Sequence, residues 1–142
     1  MGQYETDFFS WTQETAAMIR DGRVNEVDWD NLAEEIESLG KSERRALSSF
    51  LLILIQHLLK WRYQPGLRSP SWSGSIRNSR FRINRLLKDS PSLRQAVPEF
   101  ITDAYPTARA NALEETGLTE ETFPQACPFS QDEVLDEGFF PK

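Results

Sequence analysis

Apolar side chains recur every three or four positions along most of this chain, and Gly and Pro fall in the gaps between the runs. That period puts them on one face of an α-helix, whereas a half-buried strand would alternate. No alternating run, internal repeat or low-complexity tract is present. Phe8, Trp11, Thr15 and Met18 form one stripe and predict a first helix over 6–21, with Gly22 just past its end. Leu32, Ile36 and Leu39 predict a second over 29–39, capped by Asp28 or Asp30 and terminated by Gly40. Residues 42–63 are apolar almost all round, as in a helix at the centre of an α-helical domain. Ser69-Pro70 reads as the cap and first residue of a fourth helix that reaches Lys88, with Ser71 also a candidate cap. A fifth begins near Pro91 or Pro98 and ends at Gly117, where Leu113 and Leu118 suit a Schellman cap. Pro106 falls inside it and is expected to kink or split it. Ser130-Gln131-Asp132-Glu133 is a capping box opening a short last helix, and the tail aromatics Phe139 and Phe140 are expected to dock.

These elements predict an all-α fold. It is a compact bundle of four to five main helices around the central apolar helix at about 42–63, with a short C-terminal helix and a docked tail. The 142 residues suit one domain over 1–142, large enough to hold a core without disulfides or metals. Cys127 is the only cysteine, which fits a reducing cytoplasm, and acids around it would raise its pKa. The N-terminus shows no basic region followed by an apolar run. The longest strongly apolar run, Phe50–Ile55, is too short to span a bilayer, so no membrane contact is expected.

Three polar residues break their helices' patterns. His57, the sole histidine, lies on the seam of Leu47, Phe50, Leu54 and Trp61. Arg80 lies on the stripe of Trp72, Ile76, Ile83 and Leu87. Glu35 flanks the stripe of the second helix. A dry, unpaired guanidinium costs several kcal/mol or more, so Arg80 needs a partner unless its head reaches water. Glu35 is the expected one, with His57 alongside and Trp61 and Trp72 beside the cluster. Such a network either fixes helix register or forms a ligand or catalytic site. Bundle metal sites usually show Glu-x-x-His pairs or several His or Cys, so no metal is assigned. No Gly-rich phosphate loop, nucleophile elbow or His-Glu-x-x-His motif is present, so no cofactor and no catalytic residue is assigned.

Residues 41–88 hold eleven Lys or Arg against one acid, a net of +10, although the whole chain carries −6. Arg62, Arg68, Arg77, Arg82, Arg85 and Lys88 are the candidate anion-binding residues, toward an acidic protein or nucleic acid. The competing expectation is internal neutralisation by the acidic helices. The negative net charge counts against long-range capture of nucleic acid.

Several long motifs carry a resemblance. Asn31-Leu32-Ala33-Glu34-Glu35-Ile36-Glu37-Ser38-Leu39-Gly40-Lys41-Ser42-Glu43-Arg44-Arg45 resembles the signature of the bacterial domain-of-unknown-function family 29. So do His57-Leu58-Leu59-Lys60-Trp61-x-Tyr63-Gln64-Pro65, Ser71-Trp72, Asp89-Ser90-Pro91-Ser92-Leu93, the opening Tyr4-Glu5-Thr6-Asp7-Phe8-Phe9-x-Trp11, and Glu115-Thr116-Gly117-Leu118 with Phe123-Pro124. The resemblance implies a bacterial, all-helical protein and no activity. Two functions are consistent with these features. One is a non-enzymatic cytoplasmic interaction or regulatory module that contacts an anionic partner through 62–88. The other is a small enzyme or ligand- or metal-binding protein built on Glu35, His57 and Arg80.

Overall fold

A computed structural model describes residues 2–142. The described chain is all-α, with helices α1 (Gln3–Thr6), α2 (Phe8–Arg20), α3 (Trp29–Tyr63), α4 (Pro70–Asp89), α5 (Val97–Thr116) and α6 (Gln131–Leu135). Short 3₁₀ turns lie at Val24–Glu26, Pro65–Leu67, Pro91–Ala96 and Glu120–Thr122. Two compact units are distinguished, Met1–Ser42 and Glu43–Lys142.

The first unit differs from expectation at three places. Its opening helix is broken at Asp7, whose carboxylate caps α2 by accepting from the Ser10 N–H. Gly22, at φ 77°, closes α2 as expected, and the Arg23 N–H bonds the Met18 carbonyl. Asp28 rather than Asp30 caps α3, accepting from the Asn31 N–H at 3.2 Å. Gly40 does not terminate a helix, because α3 runs through it without interruption. Glycine stops a helix when the chain can adopt a left-handed residue there, and Gly40 does not have positive φ. The expected core positions Ile36 and Leu39 are 59% and 69% exposed. Trp11 and Val27 are the buried hydrophobics of this unit, and Tyr4, Phe8 and Trp11 pack ring on ring.

The second unit holds the main core. Leu47, Leu51, Leu54, Ile55, Leu58 and Leu59 of α3 are fully buried, so this helix is the central one. Burying each such side chain is worth about 1.5–3 kcal/mol. Ile76, Ile83 and Leu87 of α4 and Val97, Ile101 and Ala108 of α5 pack on the same core. Pro106 does not split α5, which is helical on both sides of it. Gly117, at φ 70°, ends α5 with one bond from its N–H to the Leu113 carbonyl, while the Leu118 N–H turns to the Thr116 hydroxyl. This is the simpler left-handed closure, not the Schellman motif. The capping box at Ser130 and Glu133 forms as expected, and Phe139, Phe140 and Pro141 dock on the body.

A side chain at Gly40 would meet no atom within 4 Å. Gly40→Ala should therefore stabilise the protein by about 0.4–1 kcal/mol, since it only narrows the unfolded ensemble. An unchanged or lower urea midpoint would show that α3 needs its glycine.

Candidate functional site

The three expected cluster residues are engaged separately. Arg80 is fully buried, and its fork donates three hydrogen bonds to backbone carbonyls of the C-terminal segment. Nε reaches Val134 at 2.8 Å, Nη2 reaches Glu133 at 3.0 Å, and Nη1 reaches Phe139. The rings of Phe139 and Phe140 lie beside the guanidinium. Burial pulls its pKa below the usual value, opposed by the charges of Asp136 and Glu137. Glu35 accepts from the Tyr4 hydroxyl, and that bond pushes the Tyr4 pKa up to about 12. His57 Nδ1 lies 2.8 Å from the Ile53 carbonyl oxygen, so this nitrogen carries the proton and donates. In place of the expected Arg80–Glu35–His57 cluster, each residue has separate partners. Carbonyl oxygens can occupy the donors of a guanidinium, so the fork is hydrogen-bonded without a carboxylate.

Around Arg80 a general device appears. The irregular segment after α5 has few backbone ladders, so its carbonyls need other donors. Tyr105 donates to Pro124 at 2.6 Å, and Arg109 to Glu120 and Phe123. Arg68 bonds the carbonyls of Trp61 and Pro141, and its guanidinium sits 5.0 Å from the Trp61 ring centre. Arg68 is therefore a strut and not an anion-binding candidate. Trp61 packs on Phe140 at 5.0 Å, and Trp72 lies under the ammonium of Lys60 at 4.9 Å.

Lys60 is the polar residue that sequence reasoning missed. It is nearly buried and pairs with Glu115 at 2.7 Å, while Asn111 donates to Gln56 at 3.1 Å. The signal was present as two polar pairs spaced i,i+4, at 56/60 and 111/115, on helices otherwise facing the core. The hydrogen bond from Lys60 holds the Glu115 carboxyl below its usual pKa.

A depression of about 490 Å³ lies against α5 and is lined by Thr102, Pro106 and Cys127 among others. Pro106 lacks an N–H, which leaves the Thr102 carbonyl without its helical donor. Burial raises the Cys127 thiol, so it is a poor nucleophile. Among the described residues no group of three His, Cys, Asp or Glu is placed to hold a metal ion.

Four of the six anion-binding candidates share one face. Arg77, Arg82, Arg85 and Lys88 are exposed on α4, with Asn78 and a 60% exposed Phe81 among them. Phe50, Asn78, Phe81, Arg82, Arg85 and Leu86 line a hollow of about 300 Å³. Arg62, also exposed, is on the last turn of α3 beside Tyr63. Internal neutralisation by direct pairing is slight. Among the described residues only Lys60–Glu115 and an exposed Arg85–Asp89 contact at 3.9 Å involve residues 41–88. The latter is worth little. Arg82 and Arg77 instead stack on Phe50 and Phe140.

The chain matches the model of the family described as Domain of unknown function DUF29 over residues 3–140, and it belongs to that family. No curated protein and no solved structure matches it. No helix among the described residues is long and apolar enough to cross a membrane.

Two expectations follow. Arg80→Ala strands three carbonyls, at about 1–3 kcal/mol for each that finds no water. It should be strongly destabilising, and Arg80→Lys should not rescue it because an ammonium lacks the fork. Combined with Glu35→Ala the loss should be additive within about 0.5 kcal/mol, as the two share no partner; coupling in a urea double-mutant cycle would restore the expected pair. The second concerns pH. The folded pKa of Glu115 is depressed, so its contribution is present above the unfolded carboxylate pKa and disappears as pH falls through the folded value. Glu115→Gln should lower the urea midpoint at neutral pH, and the gap to wild type should shrink on acidification below the ordinary carboxylate range.

Proposed function

We propose that this protein is a non-enzymatic interaction module, bacterial and cytoplasmic, that engages an anionic partner through the outer face of α4. One observation carries the reading. Arg77, Arg82, Arg85 and Lys88 surround exposed Phe81 on a single helix face, and among the described residues that face has one weak ion pair. Cations stacked on aromatic rings keep their charge available to a partner while their stems stay ordered. The alternative, a small enzyme or ligand or metal site, needed Glu35, His57 and Arg80 together. Each of these already has its own partner, Tyr4 for Glu35, Ile53 for His57 and the C-terminal segment for Arg80. The single cysteine suits a reducing compartment, and the family resemblance supports a bacterial source.

Immobilised heparin is a suitable generic polyanion. Wild type should bind at low salt and elute as salt rises, because counterion release weakens such contacts. Arg82→Glu with Arg85→Glu should cut the affinity by roughly tenfold or more. Both residues are exposed, and the fold should tolerate the changes within about 0.5 kcal/mol. Equal retention of the variant, or no retention of wild type at low salt, would refute the reading.

A further inference from the structure

The first unit carries an apolar groove whose lining includes the exposed side chains of Ile19, Ile36 and Leu39. It has a volume of about 360 Å³ and lies between α2 and the start of α3, with Phe8, Trp11, Ala16, Ile19, Ile36 and Leu39 along it. Seven of the ten exposed large hydrophobic side chains of the described chain fall in this 42-residue unit. A unit of that size barely supports a core of its own, and a contiguous exposed apolar patch marks an interaction surface. A second hollow of about 280 Å³ shares Trp11 and Thr15 with the groove and is lined by Glu5, Glu14, Glu26 and Asp28. The unit holds ten acids against three bases, a net of −7.

Resting on the reading of α4 as an anion-seeking face, we infer that the partner is the first unit of a second copy of this chain. The two surfaces are complementary in kind. One offers an exposed phenyl ring, Phe81, ringed by four cations. The other offers an apolar groove with Glu35 in its wall and four more carboxylates next to it. Phe81 would enter the groove near Ile36 and Leu39, and the guanidinium heads would reach the neighbouring acids. Burying the ring supplies affinity, and opposite charges supply orientation and encounter rate. Groove-to-groove pairing is disfavoured because it brings −7 against −7. A nucleic acid is disfavoured at the groove for the same reason. The contact joins unlike faces, so it either closes into a ring or runs on as a filament.

Light scattering on the full chain tests this. The average mass should rise above the 16.4 kDa monomer with protein concentration and fall back at high salt. Phe81→Asp and Ile36→Asp should each be monomeric, with urea midpoints unchanged because both positions are exposed. Mixed together they should recombine into a one-to-one complex of twice the monomer mass, since one keeps the groove and the other keeps the α4 face. Three outcomes would overturn the inference: a wild-type monomer at every concentration, self-association that survives Phe81→Asp, or variants that do not recombine. Heparin retention of wild type, measured in parallel, separates the two levels. A monomer that is still retained through Arg82 and Arg85 defeats only the choice of partner. A monomer that is not retained defeats the anion-seeking face itself.

Discussion

The guanidinium of Arg80 holds the second unit together at its least regular point. The segment after α5 is mostly irregular, so its carbonyls cannot be satisfied by helix ladders alone. Arg80 brings three donors in a rigid plane to Glu133, Val134 and Phe139, and the tail aromatics close over it. Its burial is tolerable because every donor direction it uses meets an oxygen, and because Asp136 and Glu137 oppose the desolvation. Glu133 and Val134 lie in the last turns of α6, whose terminal carbonyls lack helical donors. One side chain therefore ends a helix, docks a tail and fills a core position on α4.

The same chemistry recurs on α5 and in the loop before α4. Tyr105, Arg109 and Arg68 also donate to carbonyls of the chain's irregular parts. Arginines that would pair with acids in a charge-compensated bundle are directed instead to backbone or to aromatic faces. Among the described residues the outer cations of α4 make one ion pair, the exposed Arg85–Asp89 contact. The acids of the first unit likewise find few cations, with Arg23 close to Asp21 and Glu26.

Lys60 and Glu115 form the other polar feature of the second unit. A nearly buried ammonium on the central helix meets a carboxylate that is partly in water, with Trp72 beneath it and Gln56–Asn111 one turn away. Such a layer favours one register of α3 against α5, since a slip would strand the ammonium. His57 needs no place in it, because its ring proton is taken by the preceding turn of its own helix.

What the sequence determined was the helical class, the central apolar stretch at 42–63, the α4 stripe and the stops at Gly22 and Gly117. Periodicity and capping chemistry are local, and local signals survive into the fold. It also marked Arg80 as a residue requiring partners, since a charge inside an apolar stripe is costly in any packing. Tertiary structure alone decided who those partners are. Backbone carbonyls carry no signature in a sequence, and the carboxylate that pattern favours, Glu35, is bound by Tyr4. Tertiary structure also decided that Ile36 and Leu39 stay exposed. A hydrophobic stripe reports that a face seeks cover, but the period of a helix contains nothing about whether the cover comes from the same chain. Gly40 shows the same limit in the backbone: glycine permits a stop without requiring one, and here the helix continues through it.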